Sequence, residues 1–62
     1  MTPLEIQEQL KQKNMTAAKL ARRWRRSKTA ISFLIHGKVN SRRLEQKLAD
    51  LLGVPVEEIR NR

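Results

Sequence analysis

The chain has 62 residues and a formal net charge of +8, with 14 Lys and Arg against 6 Asp and Glu, and it contains no cysteine. So short a chain forms at most one domain, residues 1–62, without disulfides or thiolate metal ligands. The charge indicates a polyanionic partner such as DNA, RNA or an anionic membrane. No apolar run approaches the roughly 20 residues of a membrane span and no signal peptide is apparent, so we expect a cytoplasmic protein.

Helical periodicity extends over almost the whole chain, and no alternating strand pattern interrupts it. The first helix starts with a capping box, in which Thr2 is the N-cap and Glu5 lies three residues later. Ile6 and Leu10 share the apolar face of this helix. Asn14 is expected to end it, because asparagine tolerates the left-handed conformation that follows many helices.

The second and third helices are also marked by capping residues. Thr16 is a suitable N-cap for the second helix, and Ser27 for the third. Gly37 is expected to end the third helix. The inward side chains are Leu20, Ala21 and Trp24 on the second helix and Ala30, Ile31, Leu34 and Ile35 on the third.

The fourth helix has the clearest pattern and a short fifth helix follows it. Asn40 or Ser41 caps the fourth helix, and Gly53 ends it. Pro55 then opens a fifth helix whose apolar residues include Val56. The sequence therefore predicts an all-α protein, a compact bundle of five short helices with a leucine stripe on the fourth at Leu44, Leu48, Leu51 and Leu52.

The outward face of the third helix is polar and carries no acidic residue. On a helical wheel, Thr29, Ser32, Phe33 and His36 lie opposite the apolar stripe, with Lys28 at the edge. A helix in the DNA major groove needs short polar residues facing the bases and cations facing the phosphates. Such cations lie on both sides of this helix, as Arg22, Arg23, Arg25 and Arg26 before it and Lys38, Arg42 and Arg43 after it.

These features together resemble a lambda-repressor-like helix-turn-helix domain of the Cro/XRE type, as in small phage or prophage regulators. That family follows the pattern Gln-x3-Ala-x3-Gly-x5-Val/Ile-x5-Gly. The chain has Ala17, Ala21, Arg25, Ile31 and Gly37 at these positions, so three of the five match. The segments IQEQLKQKNMTAAKLA and LADLLGVPVEEI are similar to the family's helix 1–2 and helix 4–5 regions, so the resemblance covers nearly the whole chain.

The chain departs from the family pattern in and around the turn. Arg25 replaces the usual turn glycine, Arg26 replaces an apolar residue, and Ala17 replaces a glutamine that binds phosphate in relatives. If the turn keeps a left-handed residue, Arg25 costs about 1 kcal/mol or more relative to glycine. Alternatively, the second helix extends one residue further. Lys19 or Thr16 would supply the missing phosphate contact.

The resemblance implies a sequence-specific regulator of transcription that binds double-stranded DNA through its second and third helices. We expect it to be a repressor. The resemblance implies base contacts from Lys28, Thr29, Ser32, Phe33 and His36. It implies phosphate contacts from Thr16, Lys19, Arg25, Arg26, Ser27, Lys38, Arg42 and Arg43. Relatives commonly dimerise after the fourth helix, which makes Val39, Val56 and Ile59 the expected homodimer surface, used in solution or only on DNA.

Several alternatives remain at the level of sequence. Phe33 would otherwise pack on the second helix or on a partner chain, and His36 would be an exposed helix-end histidine. The same fold would also suit an antitoxin-like protein-binding module or a binder of nucleic acid through charge alone. The charge surrounds a turn rather than one helix face, which disfavours a membrane-surface helix. No catalytic or metal-binding constellation is present, so we expect no enzymatic activity, cofactor or small-molecule ligand.

Overall fold

The computed structural model describes residues 1–39 and 41–62. Within that part of the chain it consists of five α-helices and no strand, which confirms the predicted all-α class. None of the described helices is long and apolar enough to cross a bilayer. The helices are α1 (Pro3–Gln12), α2 (Ala17–Trp24), α3 (Lys28–Ile35), α4 (Arg42–Leu52) and α5 (Val56–Arg60).

Hydroxyl side chains start the first four helices. Thr2, Thr16, Ser27 and Ser41 are the N-caps, and each side-chain oxygen accepts a hydrogen bond from the backbone amide three residues later at 3.0–3.4 Å. These bonds satisfy amides that have no partner within the helix. Ser41 is thus the cap of α4, whereas the other candidate, Asn40, lies outside the described residues.

Left-handed residues end or follow four of the helices. Asn14, Gly37 and Gly53 have φ values of 58°, 74° and 69°, as predicted for the stops of α1, α3 and α4. Arg25, with φ 54° and ψ 47°, is the left-handed C-cap of α2. The alternative in which α2 continues by one residue is therefore wrong.

The apolar stripes of all five helices meet in one core. Its fully buried side chains come from every helix and include Ile6, Leu20, Ile31, Leu34, Leu48 and Ile59. Trp24, expected in the core, packs against it but is only half-buried. The same is true of Leu51. The core supports α3 from behind and leaves its opposite face exposed.

Candidate nucleic-acid interface

The outer face of α3 consists of Lys28, Thr29, Ser32, Phe33 and His36. All are exposed except Ser32, which is half-buried. The Phe33 residue is 42% exposed although it is large and apolar. This exposure argues against the alternative that Phe33 packs on α2, and it leaves the ring available to a partner. The apolar residues on the opposite side of α3 are buried in the core, so the outer face points away from it.

The N-terminus of α3 is suited to an anion. The first turn of α3 contains no acidic residue, and Lys28 is its first residue. Ser27 accepts a hydrogen bond from the Ala30 amide at 3.0 Å, and its hydroxyl proton remains able to donate to another oxygen. The helix dipole and the remaining free amides add partial positive charge at this end.

The turn between α2 and α3 exposes two arginines. Arg25 is left-handed, and the Arg26 amide donates to the Ala21 carbonyl at 2.8 Å, which closes the end of α2. A left-handed residue with a side chain costs roughly 1–2 kcal/mol. Arg25 and Arg26 are both exposed, and they precede the N-terminus of α3 directly. The strained conformation therefore places a cation at the start of the outer α3 face.

A groove of about 360 Å³ connects the start of α2 with the outer α3 face. Thr16 and Ser32 both line it, so a phosphate candidate and a base candidate lie beside the same space. Gln7 and Lys11 from α1 line the groove as well. The Gln7 Nε2 atom lies 3.4 Å from Nε2 of His36.

The two α1 residues Gln7 and Lys11 were not predicted for this region. Their only sequence signal is their spacing of four residues on the polar side of α1, which does not say what that side faces. The packing of α1 against α3 determines what the polar side of α1 faces. This packing depends on residues far apart in the sequence.

Lys19 and Thr16 already have partners within the chain. The Lys19 ammonium donates to the Asn14 carbonyl at 2.9 Å, and Thr16 accepts from the Lys19 amide at 3.2 Å. Both residues are exposed. A phosphate contact from Lys19 thus requires it to exchange or share its bond to Asn14.

The cations that follow α3 in the chain are exposed, and Lys38 lies at the C-terminal end of α3. Lys38 lies with its ammonium nitrogen 6.0 Å from the centroid of the Phe33 ring. Arg42 and Arg43 form the first turn of α4 and are exposed. The outer α3 face is therefore bounded by positive charge at both ends.

Comparison with known proteins identifies the fold. The model of the Cro/C1-type HTH DNA-binding domain matches residues 5–61. The chain belongs to this family. No curated protein and no solved structure gives a significant match. The pair α2–α3 is accordingly the helix-turn-helix, and the chain is a DNA-binding domain.

In this Cro/C1-type domain the expected dimer surface needs one correction. Ile59 is completely buried among the core residues of its own chain, so it offers no surface to a second copy. The resemblance implied a dimer surface after the fourth helix, but α5 uses Ile59 to close the bundle. Val39 and Val56 are half-buried and keep some exposed surface.

The Cro/C1-type domain also contains a buried ion pair that was not predicted. The Arg62 Nη1 atom donates to Oε2 of Glu45 at 2.9 Å, and the two side chains are only 3% and 7% exposed. Arg60 lies on the other carboxylate oxygen at 3.8 Å. Charged residues near helix ends are usually solvated, so no pattern in the sequence indicated this pair.

Proposed function

We propose that the protein is a sequence-specific regulator of transcription that inserts α3 into the major groove of duplex DNA. The observation that carries this proposal is the outer α3 face, which is polar, exposed and flanked by cations at both ends. Promoter occupancy that excludes polymerase is the simplest mechanism, which makes the protein a repressor. This function is binding without catalysis, and it takes place in the cytoplasm with DNA as the partner.

Base recognition is assigned to the outer α3 face. Thr29, Ser32 and His36 carry groups that donate or accept hydrogen bonds to base edges. Lys28 pairs with guanine acceptors, and the exposed Phe33 ring packs on a thymine methyl group, an apolar contact that only the major groove provides. The mixture of polar groups and one ring favours discrimination over uniform binding.

Phosphate binding is assigned to the residues around that face. Such contacts fix the position of α3 without reading sequence, and they make affinity dependent on salt. Lys19 contributes once it shares its bond to Asn14. The assigned residues are Thr16, Lys19, Arg25, Arg26, Ser27, Lys38, Arg42 and Arg43.

Two copies are proposed to bind one operator. Val39 and Val56 are half-buried and keep some exposed surface, and they supply the pairing contact, formed in solution or only on DNA. A pair of recognition helices about 34 Å apart matches half-sites separated by one helical turn of DNA. The operator would then be close to a palindrome.

Selection of bound duplexes from a random pool tests the proposal. We expect one enriched motif, bound about 10³-fold or more tightly than unrelated duplexes. A symmetric motif indicates a dimer, and a single half-site indicates a monomer. Enrichment of no motif, with equal affinity for all duplexes, would show a binder that acts through charge alone and would contradict the proposal.

A further inference from the structure

The Arg62 side chain joins four separate parts of the domain. Besides its bond to Glu45 on α4, Nε donates to the Leu34 carbonyl in the last turn of α3 at 2.6 Å. Nη2 donates to the Val39 carbonyl at 2.9 Å, and Nη1 donates to the Ile59 carbonyl at 2.7 Å. One guanidinium thus links α3, the segment after α3, α4 and α5.

Arg62 lies directly against the C-terminal end of α3. A Cβ atom added to Gly37, the left-handed residue after α3, would lie 3.4 Å from Cγ of Arg62. The Leu34 carbonyl belongs to the last turn of α3 and also accepts from the Gly37 amide at 3.3 Å. The helix dipole favours a cation at this end. Arg62 therefore holds α3 at the end that carries Phe33 and His36.

We propose that Arg62 is a positioning residue for DNA recognition. It fixes the C-terminal end of α3 relative to Val39, and so sets the distance between the base-facing Phe33 and the phosphate-facing cations of α4. The Arg62 side chain is only 3% exposed, so it is assigned no contact with DNA. The inference rests on the proposed function, because it concerns how well the outer α3 face matches a particular duplex.

The geometry of the guanidinium is what this role requires. Its planar fork directs separate donors at the Leu34 and Val39 carbonyls while a third group pairs with Glu45. A lysine carries the same charge but offers a single nitrogen, which cannot reach all these acceptors at once. Arg62→Lys therefore keeps the charge and removes the fixed spacing.

The test compares Arg62→Lys with Ile59→Val, a neighbouring core variant that changes none of these hydrogen bonds. Affinities are measured for the duplex selected by the wild type and for a scrambled duplex, at a temperature where circular dichroism shows every variant folded. In Arg62→Lys we expect about a 10-fold loss for the selected duplex, the size of one mismatched base pair. Affinity for the scrambled duplex should fall by less than about 3-fold. The salt slope should not change, since no phosphate contact is removed.

Glu45→Gln is the milder variant should Arg62→Lys fail to fold. The amide keeps an acceptor oxygen for Arg62 but loses the charge, so we expect the same selective loss at about 3-fold for the selected duplex. In either variant, equal losses of affinity on both duplexes would show that the Arg62–Glu45 pair does not set base recognition, which would overturn the proposal. No loss on either duplex, or the same loss in Ile59→Val, would also overturn the proposal.

Amide hydrogen exchange without DNA separates this proposal from the proposed function. The amides of Gly37 and Lys38 should exchange faster in Arg62→Lys. The Leu48 amide in α4 should still exchange only through global unfolding, as in the wild type. Unchanged exchange at Gly37 and Lys38 would refute the positioning role even if the wild type proves sequence-specific. Absence of any preferred duplex for the wild type would refute the proposed function while leaving the exchange result intact.

Discussion

Lys38 is bound to Phe33 through both its backbone and its side chain. The Lys38 amide donates to the Phe33 carbonyl at 2.8 Å, and its ammonium nitrogen lies 6.0 Å from the centre of the ring. The left-handed Gly37 makes this return of the chain possible. A cation at an exposed aromatic ring contributes about 0.5–1 kcal/mol. The Phe33 ring and the Lys38 ammonium group are therefore held next to each other at the C-terminal end of α3.

The Phe33→Ala variant should lose discrimination at one or two base pairs. The ring is assigned to a thymine methyl group, and a specific base contact accounts for about 1–3 kcal/mol of discrimination. Leu4→Ala is the control for the loss of an exposed apolar side chain, because Leu4 is 64% exposed on α1 and is assigned no contact with DNA. Selection from a random pool should give a relaxed motif for Phe33→Ala and the wild-type motif for Leu4→Ala. An unaltered motif in Phe33→Ala would remove the ring from base recognition.

Removal of a phosphate contact should weaken binding to all duplexes alike. For Arg42→Ala and Arg43→Ala, we expect the slope of log K against log salt to fall by about one unit each. Lys47→Ala removes the same charge one turn further along α4, beside Trp24, and should leave the slope nearly unchanged. Titrations at several salt concentrations measure this. Equal slopes in wild type and both test variants would place neither residue on a phosphate.

Arg25→Gly should stabilise the fold and weaken DNA binding. Glycine adopts the left-handed C-cap conformation without the steric cost of about 1 kcal/mol that Arg25 carries. In a domain of this size, 1 kcal/mol raises Tm by about 4–8 °C. The salt slope should fall by about one unit, as for any lost phosphate contact.

Asn14→Gly is the control for Arg25→Gly. Asn14 is also left-handed, but asparagine tolerates this conformation, so its replacement should raise Tm much less. A lower Tm in Arg25→Gly would mean that the arginine stabilises the turn by contacts that outweigh its strain.

Truncation of Leu48 should unfold a large part of the population. Its side chain is completely buried at the centre of α4, and removal of a buried leucine costs about 2–5 kcal/mol. A domain of this length has little stability in excess of that. Thermal unfolding of Leu48→Ala measures the loss, with the exposed Gln46→Ala as control. A Tm close to that of the wild type would contradict the described core.

Stability should fall in acid partly through Glu5. A hydrogen bond from the Thr2 backbone, and then one with its side chain, lowers the pKa of this carboxyl from its usual 4.5. Its contribution is complete above 4.5 and is lost as the pH falls through the folded-state pKa. The Tm difference between wild type and Glu5→Gln should therefore shrink from neutral pH to about pH 3. A constant difference would show that the charge of Glu5 does not stabilise the capping box.

The helices and their ends could be predicted from the sequence because their determinants are local. Thr2, Thr16 and Ser27 each bond to an amide three residues later, and such contacts depend on a few neighbouring positions. Asn14 and Gly37 end helices through their own backbone preferences. The apolar stripes then determined which face of α3 is exposed.

The buried polar contacts could not be predicted in this way. Arg62 and Glu45 are separated by 17 positions, and only the packing of α5 on α4 brings them together. Ile59 was placed on a dimer surface for a related reason, since its apolar side chain does not reveal whether its own chain or a second copy covers it. The α1 residues beside the outer α3 face were missed because helix packing placed them there.

The long reach of Arg62 has a kinetic consequence. Its bonds to Leu34 and Val39 close loops of 28 and 23 positions, whereas α2 packs on α3 and α4 on α5 through short connections. Closing longer loops costs more chain entropy, so these bonds form late, after the helix pairs have assembled. Interactions absent from the folding transition state act mainly on the unfolding rate. Arg62 therefore sets how long the assembled domain persists more than how quickly it forms.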